Sequence, residues 1–179
     1  MRIISGLRRG LKLDAPMGLA TRPTTDRVKE SVFNIIQNYL PADNVLDLFA
    51  GSGALGLEAI SRGSKRCIFV DAESKAIDTI KSNINKARFE KNSKVIKKDV
   101  FSFLAECTFS FDIIFLDPPY NKQFLEPVLS EIFKKNLLLE DGIIVVESEV
   151  GGEEIKSDDF SCIKSVKYGK TVISILKHK

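Results

Sequence analysis

The run Asp117-Pro118-Pro119-Tyr120 carries the most specific chemistry in the chain. It follows Ile113-Ile114-Phe115-Leu116, an apolar run that reads as a buried parallel strand. Two prolines cannot continue a strand ladder, so the backbone must leave the sheet there. An acid, a rigid turn and an aromatic ring then sit at a strand's carboxyl end, the edge where ligands bind in open α/β sheets. Such a turn can aim a carboxylate and a peptide carbonyl at one amino group, with Tyr120 free to stack on a planar base. That suits chemistry on the exocyclic amine of a nucleobase. A helix-capping Asp in a Pro-rich turn is the plainer reading of the same residues.

The segment Asp47-Leu48-Phe49-Ala50-Gly51-Ser52-Gly53 joins an earlier strand to a helix, and with Gly56 it matches G-x-G-x-x-G. Asp71, 20 residues after Gly51, closes the next strand, where it can accept from ribose hydroxyls. Asp47 precedes the loop, where it would repel a pyrophosphate and attract an ammonium or sulfonium. Asp99 can accept from an adenine amino group, with Val100 beside it. Asp47, Asp71, Asp99 and Asp117 thus end, or nearly end, four successive strands on one sheet edge. Together with the glycine loop they favour S-adenosylmethionine over NAD, with Phe49, Ala50, Gly51, Ser52 and Gly53 approaching the cofactor.

Length and composition narrow the class. The 179 residues are one domain by length, and 44% hydrophobic with 28% charged residues is ordinary for a globular protein. No apolar run reaches the roughly 18 residues of a membrane span, and no signal peptide is visible, so a cytoplasmic protein without membrane attachment is expected. Cys67, Cys107 and Cys162 read as reduced core thiols, and the lone His178 argues against a His-based or metal site. Net charge is only +3, but residues 1–30 hold seven basic side chains (Arg2, Arg8, Arg9, Lys12, Arg22, Arg27 and Lys29) against three acids. A basic segment on a near-neutral body suggests a phosphate-contacting arm. A merely solvated surface fits the charge count equally well.

The elements that must position these residues follow from periodicity. Residues 2–14 read as a hairpin, 15–23 as a loop, and 24 or 25 to about 40 as a helix capped by Thr24 or Thr25 and ended by Pro41. Strands at 45–49, 67–70, 94–97, 111–116 and 142–147 alternate with helices at 54–62, 74–89 (capped by Ser74), 100–105 and 124–135. This alternation predicts a parallel sheet with helices on both faces. Runs 163–168 and 171–176 around Gly169-Lys170 read as a closing hairpin. The fold class is therefore α/β. It resembles the seven-stranded, Rossmann-like class I methyltransferase sheet, with an extension over 1–40 preceding a catalytic domain over 41–179.

Residues 47–53 look like motif I of class I methyltransferases, and 117–120 like motif IV of their amino-methylating members. The runs Arg2-Ile3-Ile4-Ser5-Gly6, Leu7-Arg8-Arg9-Gly10 and 22–34, with Tyr168-Gly169-Lys170-Thr171, resemble the bacterial family that methylates guanine N2 in 16S ribosomal RNA. The resemblance spans the whole chain. It implies that Asp117, Pro118, Pro119 and Tyr120 are catalytic, and that Asp47, Phe49 to Gly53, Asp71, Asp99 and Val100 bind S-adenosylmethionine. Arg8, Arg9, Lys12, Arg22 and Arg27 would contact RNA, and Arg22 to Arg27 could instead close over the cofactor. A monomer acting without metal on 16S RNA, within a small-subunit assembly intermediate, is expected. Methylation of adenine or cytosine in DNA, or of a protein glutamine, is the alternative. The DNA enzymes usually carry a large recognition segment, and the glutamine enzymes typically have Asn in place of Asp117.

Overall fold

A computed structural model describes residues 1–16, 26–118, 124–151 and 155–179. Among them, strands β1 (Asn44–Leu48), β2 (Arg66–Asp71), β3 (Ser93–Lys97), β4 (Phe111–Leu116), β5 (Leu138–Glu149), β6 (Phe160–Tyr168) and β7 (Thr171–His178) form one sheet in the order β3-β2-β1-β4-β5-β7-β6. β3 to β5 run parallel, and β7 lies antiparallel between β5 and β6. The chain winds outward from β1 to β3, then returns to place β4 on the other side of β1. A topological switch therefore lies between β1 and β4, and in open α/β sheets ligands bind outside the carboxyl ends at such a point. No described helix is long and apolar enough to cross a membrane.

Side-chain alternation divides the core. Val45, Phe69, Ile113, Phe115 and Val145 face helices α1 (Asp26–Ile35), α2 (Ala54–Ser61) and α3 (Ser74–Ala87). Leu46, Leu48, Val70, Ile114, Leu116 and Val146 face α4 (Val100–Glu106) and α5 (Leu125–Lys134). Both faces of these strands are covered, which is why their sequences are continuous apolar runs rather than alternating ones.

The N-terminal extension differs from a regular hairpin. One bridge, Arg2 to Lys12, and bonds such as Ile3 N–H to the Leu11 carbonyl (2.9 Å) join its arms, with a 3-10 turn over Gly6–Arg8. The ladder stops because the Ile4 and Ser5 N–H groups leave it to donate to the Glu58 carboxylate, at 2.7 and 3.0 Å. Glu58 also pairs with Arg62 at 2.8 Å and with Lys29 at 3.5 Å. Lys29 is fully buried and donates to the Arg2 carbonyl, so it cannot contact a phosphate as the charge count allowed. Gly6 lies so close to α2 that a Cβ there would sit 1.8 Å from the Ser61 carbonyl oxygen.

α1 ends earlier than expected, at Ile35, followed by a 3-10 turn over Gln37–Tyr39. Leu40 must be extended before Pro41, so the helix tightens and stops in advance. Thr24 and Thr25, the expected caps, lie outside the described residues. Ser74 is not the cap of α3: Glu73 holds that position, its N–H donating to Asp71 at 2.9 Å.

Replacing Glu58 by Ala strands the buried Lys29 charge and two backbone donors. A stability loss of about 3–5 kcal/mol is expected in urea unfolding. A loss below about 1 kcal/mol would mean that Ile3 and Leu13 dock the extension unaided.

Candidate active site

The strand order turns four acids that are scattered in sequence into a row. Asp99, Asp71, Asp47 and Asp117 follow one another along the carboxyl edges of β3, β2, β1 and β4. Glu147, near the end of β5, extends the row by one. No motif marks Glu147, although it follows Ile143–Val146 as Asp117 follows Ile113–Leu116. Among the described residues no group of three or more His, Cys, Asp or Glu could hold a metal ion.

Asp47 is 3% exposed, beneath the glycine loop, and accepts from the Gly56 N–H at 2.9 Å. Burial pushes its pKa up to about 7, against the pull of the Gly56 N–H, and the Asp71 charge adds to the rise. Gly56 is fixed by packing: a Cβ would lie 2.4 Å from the Phe69 ring and 2.5 Å from the Cys67 sulfur. This close approach of α2 to β2 brings the Gly56 N–H within reach of Asp47.

Asp71 organises the loop directly. One carboxylate oxygen accepts from Gly51 N–H at 2.9 Å and the other from Glu73 N–H at 2.9 Å. Each oxygen has a second lone pair for a ligand hydroxyl. Asp99 caps α4 by accepting from Ser102 N–H at 3.0 Å, and Ser102 holds its carboxyl below the usual range. Val100 behind it is buried. Ala50 N–H donates to the Val70 carbonyl at 3.0 Å, which ties the loop to β2.

Asp117 remains partly exposed as a residue, yet protein surrounds its carboxyl. Burial first, and then the charges of Glu147 and Asp47, raise its pKa well above the ordinary carboxylate value. Pro118 follows it; Pro119 and Tyr120 lie outside the described residues.

Phe101, Phe124 and Asn83, near this edge, carry no signal in the motifs. Phe49, held at φ 61°, packs its ring 5.8 Å from Phe124, and Phe124 lies 6.1 Å from Phe101. A positive φ at a bulky residue costs roughly 1–3 kcal/mol and tends to mark functional loops. Asn83, fully buried on α3, donates to the carbonyls of Ser52 (2.9 Å) and Asp14 (3.0 Å), which fastens the extension to the glycine loop.

The basic residues are not gathered around Asp117. Arg8 donates to the Ala87 carbonyl at 2.6 Å, at the end of α3, and its guanidinium covers Phe89. This places the hairpin tip at the opposite edge of the sheet, a helix length of roughly 20 Å away. Arg9, Lys12 and Arg27 are exposed; Arg22 lies outside the described residues.

Known proteins resemble this chain over most of its length. The Bacillus subtilis protein YlbH, named as a candidate rRNA methyltransferase, is 44% identical over the full length of both chains. The ribosomal RNA small subunit methyltransferase D of Haemophilus influenzae is 35% identical over 92% of this chain and 86% of its own. The profile of the family described as conserved hypothetical protein 95 matches residues 1–177. The chain belongs to this family of rRNA methyltransferases. The Escherichia coli protein yhhF, a candidate methyltransferase of solved structure, superposes with a TM-score of 0.88 at 34% identity, covering 100% of this chain and 98% of its own. The class I methyltransferase fold expected from the strand pattern is therefore the fold of this rRNA methyltransferase.

The buried acids make the methyltransferase pH-sensitive. Asp47 titrates near 3.8 when unfolded and near 7 when folded, so only the folded chain holds that proton between these values. Stability therefore falls as pH rises through this window. Asp47→Asn should flatten that slope and exceed the wild type above pH 7 by roughly 1–3 kcal/mol. Urea midpoints at pH 5, 6, 7 and 8 check this; identical slopes would clear Asp47 of the effect.

Proposed function

We propose that this methyltransferase moves a methyl group from S-adenosylmethionine to the exocyclic N2 amine of a guanine in 16S ribosomal RNA. The observation that carries the reading is the position of Asp117, at the switch point between β1 and β4, beside the buried Asp47. The names of the small-subunit relatives support the RNA class.

The residues fit the cofactor. Burial raises the proton affinity of Asp47 and Asp117, so both disfavour added negative charge, and a cationic ammonium is favoured beside Asp47. A pyrophosphate would be disfavoured there. We assign the ammonium end to Asp47 and the glycine loop, the ribose to Asp71, and the adenine to Asp99 and Val100 with the Phe49, Phe101 and Phe124 rings nearby. S-adenosylmethionine, when bound, supplies an electrophilic methyl on a sulfonium.

The guanine amine is a weak nucleophile because its lone pair is delocalised into the ring. Asp117 accepts one N–H, and a carbonyl of the Pro118-Pro119 turn accepts the other, which favours a pyramidal nitrogen with its lone pair aimed at the methyl. Tyr120 stacks on the base. Positioning and placed dipoles supply most of such a rate gain. Asp117, whose proton affinity burial has raised, then takes the proton shed by the methylated nitrogen. A paired guanine has to be extruded first. The substrate is 16S RNA within a small-subunit assembly intermediate, and the enzyme acts as a monomer in the cytoplasm.

Mass spectrometry of 16S RNA from cells lacking the gene, before and after treatment with the purified protein and S-adenosylmethionine, tests the reaction. One N2-methylguanine should be missing and then restored; restoration at another atom or in another RNA would refute it. Asp117→Ala should lower turnover roughly 10²–10³-fold with S-adenosylmethionine affinity little changed. Near wild-type turnover would remove Asp117 from the mechanism.

Exposed Arg9, Lys12 and Arg27 are assigned to RNA phosphates. Replacing all three by Ala should weaken RNA binding, and the salt dependence should shrink by about one power of salt concentration per lost phosphate contact. Filter binding at several salt concentrations decides it: unchanged slopes would leave these side chains as solvated surface. Arg8 is spared because it holds the hairpin tip to α3.

A further inference from the structure

The amine chemistry above gives Glu147 no task, yet the fold places it beside the acid that performs it. Leu116, the last residue of β4, pairs with Val146 of β5, and Asp117 and Glu147 each follow directly in sequence. Phe115 and Val145 both belong to the core facing α1 to α3. Alternation along β5 therefore turns Glu147 to that same face, which Asp47 shares, and Asp117, one residue past β4, lies near enough for the charges of both to act on it. Neighbouring parallel strands run about 4.8 Å apart, a spacing at which two carboxylates can each meet one of two adjacent donors on a flat base edge. Glu147 is 6% exposed, so water competes little for such a contact.

We propose that Glu147 is a specificity-determining residue that accepts the N1–H of the target guanine while Asp117 holds the N2 amine. The proposal rests on the guanine-N2 reading. Guanine alone among the standard bases presents N1–H beside an exocyclic amine as two neighbouring donors. Adenine at N1 and cytosine at N3 present a lone pair there, which a carboxylate repels. Two adjacent carboxylates are thus matched to guanine and set against the other amino bases. A site built around a required donor rejects the analogue that lacks it far more strongly than a shape-based pocket does.

The test uses 2-aminopurine, which keeps the 2-amine but has an acceptor at N1. Fragments of small-subunit RNA carry either guanine or 2-aminopurine at the nucleotide that the wild-type enzyme methylates. The wild type should prefer guanine in kcat/KM by roughly 100-fold or more. Glu147→Gln offers an amide that can donate to N1 of 2-aminopurine, so the preference should fall at least 10-fold. Glu147→Asp keeps the carboxylate and should keep the preference even if turnover drops. S-adenosylmethionine affinity, measured by calorimetry, should be equal in all three proteins. A wild type that uses both bases equally overturns the proposal without any variant. So does a Glu147→Gln enzyme with the wild-type preference, including one whose only change is a displaced pH profile, which would make Glu147 a neighbour acting through the charge of Asp117. If the wild-type product on guanine is not the N2-methyl base, the proposed function itself falls, and that result appears before any variant is compared.

Discussion

A carboxylate withdrawn from water is costly unless donors or a cation meet it, and this sheet gathers five acids along one edge. The cause is topological. Five neighbouring strands run parallel, so all their carboxyl ends open on the same side, and each carries an acid at or near that end. The half-buried Asp71 and the exposed Asp99 are met by backbone N–H groups. The inner Asp47 accepts from the Gly56 N–H beneath the glycine loop, and Asp117 is pressed by the charges of Glu147 and Asp47. Two dense apolar cores, one on each face of the sheet, hold the strands in register against that repulsion. The edge is left with a standing preference for positive charge, which is the property required for a sulfonium donor and which would disfavour a nucleotide phosphate.

A second carboxylate, Glu58, fixes the rest of the molecule. It is fully buried on α2 and meets two backbone N–H groups, an arginine and a buried lysine. Through Lys29 it ties α1 to the N-terminal segment, and through Ile4 and Ser5 it ties that segment to α2. Asn83 completes the connection by linking Asp14 to Ser52 in the glycine loop. The extension is therefore anchored to the sheet domain at its base, and among its described residues Arg9, Lys12 and Arg27 remain exposed. The same contact that spoils the hairpin ladder makes the segment rigid.

Much of the architecture was legible because it is local. Apolar runs of four to six residues ending in acids gave the strands, and the spacing of glycines gave the β1–α2 loop. The Asp-Pro-Pro-Tyr turn marked a strand end, and the resemblance of residues 2–34 to an rRNA-methylating family agreed with the matching family profile. Element ends were less legible, since α1 stops five residues before Leu40 and β5 extends beyond 142–147 at both ends. Those limits depend on Pro41 and on pairing with β7, not on periodicity.

What the sequence determined by itself was the set of chemical groups and the strand ends they occupy, because a residue's position on a strand or loop follows from its near neighbours. Tertiary structure decided which groups meet. Winding the chain outward and back set Asp47 next to Asp117, and pairing β5 with β4 added Glu147, a residue that no motif distinguished. Burial removed Lys29 from the basic surface, and docking on α3 took Arg8 to the far edge of the sheet. It also drew Phe49, Phe101 and Phe124 together from three separate segments. A charge's role depends on how much water and which partners surround it, and those are set by contacts between residues tens of positions apart, which periodicity and spacing do not encode.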